Sequence, residues 1–525
     1  MAKSRAHVFA PSLFALAVSA CHPAPTPNAS LGPVQLDAGQ VAGLAEPGGV
    51  SSFHGVPFAA PPVGPLRWRA PEPVKPWNGV RRATQRSSIC MQVDERRGVH
   101  RPLPVSEDCL YLNVWTGAAS ARERRPVMVW IHGGGFVGGT GAEAQSEGTH
   151  LAQKGVVLVS INYRLGPLGF LAHPELTAEA GGSGDYGLLD QIAALRWVQR
   201  NISGFGGDPG NVTIFGESAG SASVSALMAS PLAKGLFQKA IGESGAEMGY
   251  EPPLRPATLA EAETSGRTFA KALRARSIAD LRGRSAAELI RAPAPVWGPV
   301  VDGRVLPAPP EAMSRQARSS DVTLLVGWNA DEGVEFTDRP NVEAMTRSRF
   351  EQLARTRFGA KAGAFLAAYP ARTDAEARAS FLALLGDEFI GYPTWLWLEG
   401  QRRTSKAPVY RYHFERGVPV PPTQTAWWPV AFHSGEILYV FDNLGAAPWA
   451  WTQGDRKLAS LMSAYWINFA KSGDPNGPGL PSWPADAPGQ PEVVFHFNQV
   501  SAAAKIAGSE ALQFLDDSPE AKRPH

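Results

Sequence analysis

Residues Val212–Ala229 read VTIFGESAGSASVSALMA, and two kinds of pattern meet there at one serine. Val212–Phe215 is an apolar, β-branched run suited to a buried parallel strand. Ser221–Ala229 is a small-residue stretch that can be helical. Between them, Gly216-Glu217-Ser218-Ala219-Gly220 fits G-x-S-x-G. The pattern has a steric basis. A sharp strand-to-helix turn forces the serine into a strained backbone geometry, and only small neighbours let strand and helix approach. The hydroxyl is then exposed at the positive end of a helix. Five residues with three fixed positions carry little alone; the strand before and the helix after give them meaning.

Working outward, similar apolar runs occur at Val127–Ile131, Val156–Ile161, Thr323–Val326 and Val409–Phe414. Helical stretches lie between them. Leu188–Asn201 carries apolar residues at helical spacing, as does Leu259–Leu273, with Glu261 and Glu263 early and Lys271 late. Strands alternating with helices predict an α/β fold with a central, mostly parallel sheet and helices on both faces. From Val34 to about Trp77 the chain has short strand-like pieces and a Pro-rich segment, read as a small antiparallel edge plus loop. With no internal repeat and no composition break, residues 34–515 read as one domain with large excursions, followed by a polar tail at 516–525.

A second glycine-rich element strengthens the serine reading. His132-Gly133-Gly134-Gly135-Phe136 directly follows the strand Val127–Ile131. Successive glycines leave backbone N–H groups uncovered, and two of these with the N–H of Ala219 could hold the oxygen of a tetrahedral intermediate. A phosphate cradle is excluded, because no Gly-Lys-Ser/Thr follows and no dinucleotide spacing is present. In this fold the order along the chain is nucleophile, acid, base. Asp331, Glu332 and Glu335 all follow the strand that begins at Thr323, so the residues alone leave the acid open. His433 lies in a loop after the strand Val409–Phe414, the stage at which a base is expected; His150, His173 and His413 read as surface or core histidines.

Composition sets the outer limits. At 44% hydrophobic and 19% charged, the 525-residue chain can bury a large core, which excludes global disorder. The formal net charge is +2, and Lys3 and Arg5 account for it, so removing the first 20 residues leaves zero. A neutral mature chain has no global electrostatic reason to bind nucleic acid or anionic lipid. Residues 1–20 read as an export signal: a basic start, an apolar run from Val8 to Ala20, and too short a stretch to span a bilayer. Val18-Ser19-Ala20-Cys21 resembles the bacterial lipobox, with Cys21 as the lipid carrier and residues 22–33 as a Pro/Ala-rich tether. The rival reading is ordinary cleavage after Ala20. Both place the protein outside the cytoplasm, periplasmic or anchored to the envelope. Setting Cys21 aside leaves Cys90 and Cys109, which can pair in an oxidising compartment.

Taken together, the chain resembles the type-B carboxylesterase and cholinesterase family of serine hydrolases, which have the α/β-hydrolase fold. The resemblance runs from about Val34 to Pro484. It is carried by FHGVPFAAPPVGPLRWRAP (residues 53–71), SEDCLYLNVW (106–115), VWIHGGGF (129–136), NYRLGPLGFL (162–171), residues 187–220, Asp331–Gly333, His433–Phe441, YWINFAKSGDPN (465–476) and LPSWP (480–484). It implies Ser218 as nucleophile, Glu332 as acid and His433 as base. It further implies Gly134, Gly135 and Ala219 as oxyanion donors, Glu217 and Ser244 as neighbours behind the triad, and a Cys90–Cys109 disulfide. The expected activity is hydrolysis of small-molecule carboxylic esters without metal or organic cofactor. An amidase or carbamate hydrolase would use the same triad; a non-catalytic binding protein of this fold would lack the nucleophile or the histidine, which both stand here. Cholinesterases carry a tryptophan in the loop that the first disulfide closes, whereas residues 91–108 have no aromatic, which argues against a choline-type cation site. Trp395, Trp397, Trp427 and Trp428 are candidates either for a pocket wall near His433 or for ordinary packing. The sequons at Asn28, Asn201 and Asn211 read as coincidences.

Overall fold

The computed structural model describes residues 31–93, 103–249, 254–293, 296–420, 431–486, 492–505 and 509–518. Cys21, the export segment and residues 22–30 of the tether lie outside them, as do Trp427 and Trp428.

The framework is an 11-stranded sheet. Its strands in chain order are β1 (Leu44–Glu46), β2 (Val50–Pro57), β3 (Tyr111–Thr116), β4 (Arg125–Ile131), β5 (Val157–Ile161), β6 (Gly207–Glu217), β7 (Lys239–Glu243), β8 (Thr323–Asn329), β9 (Val409–Phe414), β10 (Val493–Phe497) and β11 (Ala502–Lys505). In space they run β11-β10-β9-β8-β7-β6-β4-β5-β3-β2-β1. The strands from β5 through β4 and β6 to β10 are mutually parallel. Both margins are antiparallel: β3 pairs with β5, β2 with β3, β1 with β2, and β11 with β10.

The all-apolar strands follow from burial on both faces. In β4, Val127, Val129 and Ile131 join one core, while Met128 and Trp130 join the other. The first core is covered by α1 (Tyr186–Asn201), α2 (Ala219–Ala229) and, further along, α5 (Tyr392–Thr404), through Leu195, Val224 and Trp397. The second is covered by α6 (Gln453–Ser472), through Met462 and Trp466. Between these, α3 (Leu259–Ala272) begins with a capping box: Thr258 Oγ1 accepts from the Glu261 N–H at 3.3 Å, and Glu261 Oε2 accepts from the Thr258 N–H at 2.7 Å. The remaining helix used below, α4 (Asp374–Gly386), packs against the turn that carries Glu332.

The N-terminal part is more elaborate than a single antiparallel edge. β1 and β2 form that edge, but Val34–Gln35, Gln40–Ala42 and Val80–Arg82 make a separate three-stranded sheet, whose last pair is parallel. Strands of two or three residues hold too few side chains for alternation to show in the sequence. Among the described residues no helix is long and apolar enough to cross a membrane.

Candidate functional site

β6 ends at Glu217 and α2 begins at Ala219, so Ser218 alone makes the turn, at φ 56° and ψ −122°. A non-glycine residue there is strained, and it persists only because its surroundings fix it. The Ser218 N–H donates to Glu243 O at 2.8 Å, and Ser218 O accepts from the Ala222 N–H at 2.8 Å. The flanking glycines are obligatory by contact. A Cβ at Gly216 would lie 2.5 Å from Ile131 O, and one at Gly220 only 2.0 Å from the same oxygen.

The glycine loop after β4 lies directly beside this turn. A Cβ on Gly133 would sit 3.0 Å from Ser218 Cβ and 2.7 Å from Glu217 Oε2. Gly134 and Gly135 take positive φ, 107° and 61°, and Phe136 follows at 59°. Any side chain on Gly134 would meet Gly138 O at 2.3 Å. The loop is tied down by His132, whose ring stacks on Tyr163 at 4.4 Å while the Tyr163 hydroxyl donates to His132 O at 2.9 Å. Among the described residues, none of the N–H groups of Gly134, Gly135 and Ala219 donates a hydrogen bond. All three therefore remain available to a ligand.

On the other side, β8 delivers Glu332 and the chain after β9 delivers His433. Glu332 Oε1 accepts from the Asn329 N–H at 2.8 Å, and Oε2 meets His433 Nδ1 at 2.6 Å. Both residues are buried. Of the rival acids, Glu335 stays near enough to raise the imidazole pKa, while Asp331 is engaged elsewhere. Asp331 exchanges two bonds with Ala431, accepting from its N–H and donating to its carbonyl, each at 2.9 Å. That pairing pins the histidine loop to the acid turn. Asn329 adds a second tie, since its side-chain amide donates to Phe432 O and to Glu436.

Glu217 completes the cluster. Its Oε1 stands 3.2 Å from His433 Nε2, at ion-pair distance but without hydrogen-bond alignment. Burial alone would lower the imidazole pKa, but Glu217 and then Glu332 override it and raise it to about 10. Burial likewise pushes the Glu217 carboxyl well above its ordinary range, against the pull of His433. Among the described residues Ser218 and His433 share no hydrogen bond; Ser218 adjoins the imidazole through its neighbour Glu217. Apo catalytic bonds are often long and tighten only with substrate. The ring of Phe336, stacked on Phe389 at 4.4 Å, lies 6.0 Å from the imidazole.

Other sequence-nominated residues are placed as follows. Ser244 takes φ 56° behind the turn and donates its N–H to Gly327 O at 2.8 Å. Its buried hydroxyl has no partner among the described residues. Cys90 and Cys109 are bonded, with Cα atoms 4.9 Å apart. Trp397 packs on β7, where a Cβ at Gly242 would approach it to 2.2 Å, and Trp395 is buried in the same helix, so both serve packing. His150 is exposed, His173 caps a short helix, and His413 sits on β9. Asn201 is buried and accepts from the Asp37 N–H, so its sequon is inaccessible. Sequence reasoning missed the tie between Asn329 and Glu436. Its one signal is a glutamate three residues after His433, whose carboxyl burial raises to about 7.

The chain is similar to known proteins over most of its length. Residues 30–515 match the model of the carboxylesterase family. The chain is 40% identical to fumonisin B1 esterase of Sphingopyxis macrogoltabida over 83% of its own length and 82% of that protein. It is 37% identical to para-nitrobenzyl esterase of Bacillus subtilis (strain 168), covering 85% of this chain and 91% of that one. A solved structure of PNB esterase superposes with a TM-score of 0.79 at 33% identity, over 92% of this chain and 99% of the other.

Proposed function

Because the chain belongs to the carboxylesterase family and is a carboxylic-ester hydrolase, we propose that it works by two-step acyl transfer on Ser218, with His433 as base and Glu332 as the acid that orients it. The observation that carries this reading is the 2.6 Å contact between Glu332 and His433 beside the strained Ser218 turn. His433 takes the proton of Ser218 as the hydroxyl attacks the ester carbonyl. Glu332 fixes the imidazole tautomer and stabilises the imidazolium. The N–H groups of Gly134, Gly135 and Ala219 receive the tetrahedral oxygen. His433 then gives its proton to the departing alcohol, and water repeats the sequence on the acyl-enzyme. Glu217 and Ser244 act from behind, Glu217 by holding charge against Nε2 and Ser244 by supporting the turn.

The substrate is a small-molecule ester. The identity with a fumonisin B1 esterase supports testing fumonisin B1 beside simple aryl and alkyl esters. A fluorophosphonate should label the protein once per chain, on the peptide that contains Ser218, and Ser218→Ala should abolish both labelling and hydrolysis of p-nitrophenyl acetate. Full activity in Ser218→Ala sinks the assignment. The basic and apolar start of the chain and the lipobox-like Cys21 support export with a lipid on that cysteine. Intact mass of the processed protein distinguishes a lipidated Cys21 from simple cleavage after Ala20.

A further inference from the structure

We infer that His413, Glu415 and His496 form a binding site for a single divalent transition-metal ion of the Zn(II) type, apart from the ester-cleaving centre. The placement follows from strand register. β9 and β10 are parallel, with His413 directly paired to His496. Paired residues of neighbouring strands send their side chains to the same face, and so does a residue two positions further on. His413, Glu415, His496 and Asn498 therefore share one face of the sheet. The opposite face takes Tyr412, Phe414, Phe495 and Phe497 into the core.

The donor atoms converge. Glu415 Oε1 lies 3.1 Å from His413 Nδ1 and 2.5 Å from His496 Nδ1. One ligand atom from each of the three residues lies within 4.8 Å of the other two. Small ring and carboxylate rotations bring such a set to the ~2.0–2.2 Å that Zn(II) takes with imidazole and carboxylate. The two rings stand at 89° to each other, so they approach from different directions. The carboxylate is already oriented from outside, because Asn498 Nδ2 donates to Oε2 at 2.8 Å and the Glu415 N–H donates to Phe497 O at 2.9 Å. Such support is what metal ligands require. The side chains of His413, Glu415 and His496 are 28%, 29% and 28% exposed, so an ion can reach them and water can fill a fourth position. Two imidazoles and one carboxylate suit Zn(II), Co(II), Ni(II) or Cu(II) better than Ca(II) or Mg(II). Binding uses the Nδ1 lone pairs, and the ring protons then reside on Nε2.

The ligands come from segments 81 residues apart, so the unfolded chain does not hold them together. A metal here clips β9 to β10 and favours the folded state. The test uses the mature chain stripped with a chelator. Co(II) should bind one equivalent and give the visible absorption of a low-coordinate site, and Zn(II) should displace it and raise the melting midpoint. Glu415→Gln and His496→Gln should each weaken binding about tenfold or more while keeping p-nitrophenyl acetate hydrolysis, whereas His150→Gln should bind as the unaltered protein does. Zn(II) should also protect His413 and His496, in the unaltered chain, from acylation by diethyl pyrocarbonate. That second measurement decides the matter if a variant fails to fold. No stoichiometric binding, equal affinity in His496→Gln, or absence of protection overturns the proposal.

Discussion

In the proposed mechanism the contact between Glu217 and His433 should govern the pH dependence of hydrolysis, and Glu217→Gln tests it. The substitution keeps the shape of the side chain and removes its charge. At 3.2 Å, with an effective dielectric of about 20, a full charge pair is worth about 5 kcal/mol, or about 4 pK units. Glu217 does not carry a full charge, because its own burial favours the protonated form. The observable shift is therefore smaller. The sign is fixed. Glu217 raises the imidazole pKa, so its removal lowers it, and the neutral, proton-accepting imidazole exists at lower pH. The acid limb of kcat/KM against pH reports this group in the free enzyme. With p-nitrophenyl acetate, that limb should move to lower pH in Glu217→Gln, by less than the about 4 units of a full charge pair. Glu332→Gln also removes a charge from the imidazole, but it disturbs the Nδ1 contact as well, so its plateau should fall by on the order of 10⁴. An acid limb that stays in place, or moves upward, in Glu217→Gln would refute the electrostatic reading of this contact.

Three further outcomes are expected. Gly134→Ala places a Cβ 2.3 Å from Gly138 O at φ 107°, so it must shift the loop, and kcat should fall about 10²–10³-fold with the fold retained by circular dichroism. Reduction of the Cys90–Cys109 bond, or Cys109→Ser, should cost about 3 kcal/mol in denaturant unfolding, from the chain entropy of a loop with sequence separation 19. Glu247 is buried with neither carboxylate oxygen partnered among the described residues, and burial raises its pKa well above 4.5. The folded state then holds the proton more tightly than the unfolded one, so stability falls as pH climbs from about 4.5 through the folded pKa. Glu247→Gln should flatten the decline of the melting midpoint as pH rises above about 4.5; an unchanged slope contradicts the burial argument.

What the sequence revealed divides by the range of the interaction. The turn at Ser218 and the glycine loop are short, and their steric demands must be met by adjacent residues, so G-x-S-x-G and the three glycines announce them. The central strands are legible for a related reason: burial on both faces demands unbroken apolar runs, as in Val127–Ile131. The proposed acid and base were placed only by chain order and by family resemblance, since nothing local separates Glu332 from Asp331. The distinction is made by tertiary contact, which turns Asp331 toward Ala431 and Glu332 toward His433. The same reasoning explains why Glu217 read as a bystander behind the triad. Its role depends on His433 arriving from more than two hundred positions away, and no spacing rule can register that meeting. The convergence of His413, Glu415 and His496 was not legible for the same cause, because it depends on two strands in register, with Glu415 just past the end of one of them. Chemistry built within one turn of chain can be read from sequence; chemistry built across a sheet needs the register of its strands.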